Sequence, residues 1–228
     1  MKISLEKFLS FPKSIYVNLR LFPIKDALKL PILCRYNVKC LSLKGKIIVE
    51  GGVKPCMLHV GFGRVGIFDK DYSRSILQID GTIHLEGLGR YYMGHGCRIC
   101  VMKNAHLYIK KEFVNSAEMS IVCSKEIHIG HHVTTSWNTL VMDTDFHITK
   151  NTITNECYPA QSPIFIGNNV WICTRAVVLK GTEIPNGCIV GANTVVSKKF
   201  QKGNTLIAGN PAMVKKERIT MRRERIKQ

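Results

Sequence analysis

From Ile166 onward the apolar positions of the chain recur on a strict period of six. Read in sixes, IGNNVW, ICTRAV, VLKGTE, IPNGCI and VGANTV follow one another, and Val196 opens the next. The first place holds Ile166, Ile172, Val178, Ile184, Val190 and Val196, all β-branched. The fifth place holds Val170, Ala176, Thr182, Cys188 and Thr194, all small or modest in size. A period of six matches neither the 3.6 of a helix nor the alternation of a single strand. It predicts a coil of short strands with sharp corners, one aliphatic per side pointing inward and a small residue fitting the corner. A single hexad buries nothing by itself, so such coils must stack on a shared apolar column and pair in parallel ladders.

The same phase appears upstream. Val101, Leu107, Phe113 and Met119 lie six apart, with Ala105, Ala117 and Cys123 in fifth places. After a slip near Lys125 it resumes at Ile129, Thr135 and Val141, and further back Ile79, Leu85 and Tyr91 keep it more loosely. Between His147 and Pro163 the run ITKNTITNECYPAQS is polar, turn-rich and out of phase. Repeat arrays place such insertions as loops on one face, often the binding face. The pattern therefore divides the chain into an amphipathic capping segment (1–45), a repeat domain (46–212) with an extruded loop (148–163), and a basic tail (213–228) read as a short helix. The stretch 45–78 is rich in strand formers but only doubtfully in phase.

The N-terminal segment mixes Phe8, Leu9, Phe11, Ile15 and Leu19 with Lys2, Lys7, Lys13 and Arg20. Glu6 and Lys7 interrupt any signal-peptide core, and no uncharged run reaches the roughly 18 residues of a membrane span. Such a segment either caps the core with its apolar side, the favoured expectation, or lies on an anionic membrane.

Charge and cysteines narrow the chemistry. With 33 Lys+Arg against 16 Asp+Glu the formal charge is +17, a field that favours phosphate-bearing ligands or anionic surfaces. No base-reading motif or aromatic-rich platform accompanies it, so nucleic acid is not expected. The tail KKERITMRRERIKQ concentrates part of this charge. Nine cysteines without framework spacing point to a reducing compartment, hence a cytoplasmic protein with peripheral contact at the inner face of the membrane as a further option. Cys97 and Cys100 form a lone C-x-x-C with no second pair, and no metal is expected.

The candidate chemistry lies in MDTDFH, residues 142–147, which closes a coil just before the loop. A neutral histidine suits general-base work near neutral pH, and a carboxylate beside it can fix its tautomer. His147 is the candidate base, and Asp143 or Asp145 the candidate orienter. The spacing does not choose between the two.

The run IFIGNNVWICTRAVVLKGTEIPNGCIVGANTVVSKKF…LIAGNPAMVKK, with IGHHVTTSWNTLVMDTDFH before it, resembles the hexapeptide-repeat acyltransferases, among them bacterial sugar and surface-polysaccharide O-acetyltransferases. The resemblance implies an all-β fold, a left-handed parallel β-helix assembled as a homotrimer. It implies acetyl-CoA as acyl donor in a groove between two copies, and a sugar or polysaccharide precursor as acceptor. By the same resemblance His147 is the catalytic base and Trp171 lines the cofactor side. Ala176 and Ala192 offer backbone groups to the pantetheine arm. Ser197 and Lys198 approach the phosphates, Pro211 packs on the adenine, and Lys215 or Lys216 meets the 3′-phosphate. Trp137 and Asn138, one hexad before the motif, are candidates for acceptor binding. Two departures stand out: Cys173 replaces the usual Gly, and Met213 a common basic residue. A small non-sugar acceptor such as serine or an antibiotic, and a non-catalytic scaffold at the membrane, are the alternatives. A zinc enzyme on this fold would need histidines five apart, and no two of the eight meet that spacing.

Overall fold

The structure, a computed structural model, describes residues 5–63 and 65–222. The chain winds as a three-faced parallel β-helix, one strand per face in each circuit. The first circuit is β1 (Ile32–Cys34), β2 (Lys39–Leu43) and β3 (Lys46–Glu50), and the second β4 (Leu58–Phe62), β5 (Ile76–Ile79) and β6 (Thr82–Glu86). The third is β7 (Tyr91–His95), β8 (Arg98–Val101) and β9 (His106–Ile109), and the fourth β10 (Phe113–Ala117), β11 (Ser120–Cys123) and β12 (Glu126–Ile129).

In the fifth, β13 (Thr134–Thr135) and β14 (Leu140–Met142) precede an excursion, the hairpin β15 (Thr149–Lys150) and β16 (Cys157–Tyr158), before β17 (Ile164–Ile166). The sixth is β18 (Trp171–Ile172), β19 (Val177–Leu179) and β20 (Glu183–Ile184). The coil then closes with β21 (Ile189–Val190), β22 (Val195–Val196), β23 (Thr205–Ala208) and β24 (Met213–Glu217). We call the face that starts with β1 face 1, that of β2 face 2 and that of β3 face 3.

Register explains why the period is six. Ile121, Val141, Val178 and Val196 lie one above another on face 2, each one hydrogen-bonded rung from the next. Every first-place and fifth-place residue named above is buried, so the hexads form one continuous column. On the outside of face 3 the rings of His84, Tyr108, His128 and Phe165 stack with centroids 4.2, 4.4 and 4.8 Å apart. This ladder follows from the strand spacing of about 4.8 Å.

Three sequence expectations need correction. The coil begins at Ile32, not at 46. Its early turns hide from the hexad pattern because the segments 51–57 and 63–75 separate strands of up to five residues. The N-terminal segment does cap the coil, through α1 (Leu5–Leu9), α2 (Phe11–Leu21) and α3 (Ile24–Ala27). However, Phe8, Leu9, Phe11, Ile15 and Leu19 face outward, and Ser14, Val17, Asn18 and Leu21 face in. Finally, residues 213–217 form no helix. They turn back at Gly209 and pair antiparallel with β23, Leu206 opposite Lys216, because the last circuit leaves an open edge that a returning strand can satisfy. The rest of the expected tail helix, 223–228, lies outside the described residues.

Candidate active site

The loop leaves the coil at the corner between faces 2 and 3, and that corner is pinned from below. Asp143 is fully buried. Its carboxylate accepts the backbone N–H groups of Ser124 at 2.7 Å, Lys125 at 2.8 Å and Glu126 at 2.7 Å. A buried carboxylate is tolerated because these donors replace its water. The two ends of the loop are joined in turn. Ser162 N–H donates to the Asp143 carbonyl at 3.0 Å, and Asp145 N–H to that of Ala160 at 2.8 Å. Gln161 Nε2 donates to Ser124 Oγ at 2.6 Å. From the coil above, Lys180 Nζ meets Asp145 Oδ2 at 2.6 Å and the Pro159 carbonyl at 2.6 Å.

Phe146, at φ 60°, then swings the chain outward, its N–H held by Thr144 Oγ1 at 2.9 Å. His147 follows, exposed at the mouth of the loop, with no hydrogen bond or ion pair among the described residues. Neither aspartate orients it within one chain, contrary to the sequence expectation: Asp143 is spent on the corner below and Asp145 on Lys180. The sequence offered no sign of Lys180, which stands 35 residues from Asp145 and meets it only because one full circuit intervenes.

The remaining candidates divide between two corners. Ser197 and Lys198 are exposed on the His147 corner, with Lys198 Nζ 5.3 Å from the Phe200 ring centroid. Trp137, Asn138, Trp171, Ala176 and Ala192 gather instead at the corner between faces 1 and 2. There Trp171 Nε1 donates to Ser136 Oγ at 3.1 Å, and the Trp137 carbonyl accepts from Arg175 N–H at 3.1 Å and Thr174 Oγ1 at 3.0 Å. Ala176 is buried and its N–H is committed to the Cys173 carbonyl, whereas Ala192 is exposed. Burial pushes the Cys173 thiol up to about 11, so it stays protonated and unreactive. Pro211 lies in the exposed turn above this corner, where Val195 N–H meets the Gly209 carbonyl at 3.2 Å. Lys215 and Lys216 are exposed on β24.

Face 2 separates the two groups. From Ala176 to Lys180 the chain spans about 13 Å at the rise of an extended strand, so one chain does not bring His147 beside Trp171. A groove of about 400 Å³ under the loop is lined by Lys125, Ile148, Cys157, Tyr158 and Gln161. Larger ones lie away from His147, about 600 Å³ beside His59 and Tyr92 on face 1, about 760 Å³ beside Tyr108 and His128 on face 3 and about 430 Å³ between Arg20 and Ile47 near the cap.

Residues 163–198 match the family model described as bacterial transferase hexapeptide (six repeats). The chain is 46% identical over 56 residues to an Escherichia coli (strain K12) protein named for lipopolysaccharide-biosynthesis O-acetyl transfer, 25% of this chain and 28% of that one. It is 30% identical over 114 residues to the galactoside O-acetyltransferase of the same strain, 50% of this chain and 55% of the other. Among solved structures, the polysialic acid O-acetyltransferase OatWY is 22% identical, with a TM-score of 0.45, over 86% of this chain and 92% of its own. The chain thus matches between 28% and 55% of the length of these two sequence relatives. The sequence matches bear out the resemblance to hexapeptide-repeat acyltransferases.

Proposed function

We propose that the protein is an acetyl-CoA-dependent O-acetyltransferase that acetylates a hydroxyl of a sugar or surface-polysaccharide precursor. The observation that carries this reading is His147: an exposed imidazole, without a hydrogen bond or ion pair among the described residues, held at a fixed height by a doubly anchored corner. Its free ring can take the proton from the acceptor hydroxyl as that oxygen attacks the thioester carbonyl. The tetrahedral oxyanion collapses, the C–S bond breaks, and the imidazolium returns the proton to the departing thiolate. The acetyl group passes directly, with no acyl-enzyme.

The donor reading rests on charge and on free backbone. Exposed Ala192 makes no backbone hydrogen bond among the described residues. Lys198, Lys215 and Lys216 are exposed and make no ion pair among those residues, as a polyphosphate ligand requires. Trp171 shares the corner of Ala192, across face 2 from Lys198, and Trp137 and Asn138 lie at that same corner, where an acceptor can reach. The homotrimer reading rests on face 2. Leu140, Met142, Val177, Leu179 and Val195 point outward there between the two corners, half-buried aliphatics that another copy would cover. With face 2 covered by a neighbour, His147 of one chain faces the plain corner of the next. The nine cysteines are free thiols, in keeping with a cytoplasmic setting.

The acceptor class follows the relatives named for lipopolysaccharide and galactoside acetylation. Release of CoA thiol from acetyl-CoA, measured against hexosides, N-acetylhexosamines, serine and chloramphenicol, tests it. Sugar-dependent release is expected. Release with serine or chloramphenicol alone moves the acceptor class, and an absence of saturable acetyl-CoA binding returns the chain to a scaffold.

A further inference from the structure

Helix α2 is built inside out. Its inward polar residues serve the first strand: Ser14 Oγ accepts the Cys34 N–H at 2.9 Å, and Asn18 Oδ1 accepts the Ile32 N–H at 3.0 Å. Asn18 Nδ2 returns a bond to the Ile32 carbonyl at 2.8 Å. The open edge of β1 is thereby closed by side chains, as the start of any parallel coil demands. The consequence is on the other side. Phe11, Ile15 and Leu19 stand one helical turn apart on the outward face, with Tyr16 beside them and Lys13 and Arg20 along one border. Lys13 Nζ lies 6.0 Å from the Tyr16 ring centroid, so charge and aromatic share that border.

The neighbouring elements extend the surface. Leu5, Phe8 and Leu9 on α1 are 73%, 64% and 50% exposed, and Ile24 and Leu28 around α3 are 72% and 73% exposed. Apolar side chains this exposed and this clustered are not explained by capping, which Val17 and Leu21 perform. The charge of the segment is one-sided. Glu6 is held by Arg35 at 2.9 Å and Lys70 at 3.0 Å, and Asp26 by Lys29 at 3.1 Å. Both carboxylates are neutralised, while Lys13, Arg20 and Lys25 make no ion pair among the described residues.

We propose that the outward face of residues 5–29 docks the protein on an anionic lipid bilayer. Apolar side chains enter the headgroup boundary and the bordering cations meet lipid phosphates, a combination a neutral protein surface would not repay. Docked by this end, the coil stands away from the bilayer. His147 lies within the fifth circuit, four spacings or about 19 Å above the first. That height suits an acceptor carried on a lipid and projecting from the membrane. This corollary rests on the acyl-transfer reading, whereas the docking itself does not.

The test uses the full chain and sedimentation with vesicles of pure phosphatidylcholine or with about a third phosphatidylglycerol. Binding to the mixed vesicles is expected, weakened in about 0.5 M salt. The variant Phe8→Ser/Ile15→Ser/Leu19→Ser should lose at least about tenfold in affinity with an unchanged melting curve, because those side chains support nothing beneath them. Lys13→Glu/Arg20→Glu should lose binding to the anionic vesicles specifically. The proposal is overturned if the wild type ignores mixed vesicles or the triple-Ser variant binds like wild type, which would move the contact to the basic tail. It is equally overturned if that variant only breaks a larger lipid-free assembly, since the face would then join copies of the chain.

Discussion

At the corner between faces 1 and 2 the chain turns in the same way circuit after circuit. Asn138, Arg175 and Asn193 occupy it at φ 56°, 56° and 55°, each in the left-handed region. Each turn is tied to its neighbour by a backbone bond, Arg175 N–H to Trp137 and Asn193 N–H to Thr174. The corner between faces 2 and 3 is held differently at the fifth circuit. A buried carboxylate grips the turn below, and a lysine from the circuit above grips the departing loop. The plain corner needs only local conformation, so it repeats. The loop corner needs long-range anchors, and in return it carries an extruded hairpin and an exposed histidine without unravelling the ladder.

That contrast can be broken in graded steps. The largest effect belongs to the histidine: His147→Ala should lower kcat by about 10² to 10⁴ with the melting temperature unchanged, because the ring supports no other group. An enzyme that keeps most of its rate would remove general-base catalysis from this residue. Asp143→Ala comes next and acts on the fold. It removes a buried carboxylate and the three backbone N–H bonds it accepts, costing about 3 kcal/mol, read by denaturant unfolding. A loss under about 1 kcal/mol would mean that the corner holds without its carboxylate. Lys180→Ala should cost about 1 kcal/mol in stability, raise the KM for the acceptor a few-fold and speed proteolysis within 148–163. Equal proteolysis of the two proteins would show the loop to be anchored elsewhere. The smallest effect lies at the plain corner. Asn193→Ala should cost about 1 kcal/mol for the left-handed backbone while Asn193→Gly costs almost nothing, a difference visible in thermal melts and absent if the side chain is what matters.

The same contrast explains what was legible in the sequence. The hexads of the upper circuits announced themselves because each turn there is short and local, so Ile166 through Val196 keep one phase and all are buried. Around β3 and β5 the intervening segments are long, and the phase dissolves although the coil continues. Helix α2 deceived because its inward face serves a strand edge, a demand for hydrogen bonds that overrides the rule of apolar inside. The tail deceived because an open sheet edge recruits a strand from residues with helical preferences. At the site, the corner where the loop leaves the coil was legible from the break in phase. The partners of its aspartates were not, since Ser124 and Lys180 reach them from other circuits.

Complementation between copies tests the central claim most directly. Chains carrying His147→Ala and chains carrying Ala192→Trp, each inactive alone, are unfolded, mixed in equal amounts and refolded. If His147 of one copy works against the plain corner of the next, random trimers recover about a quarter of the wild-type rate, the share of interfaces pairing an intact histidine with an intact corner. A mixture no more active than its components would contradict the account.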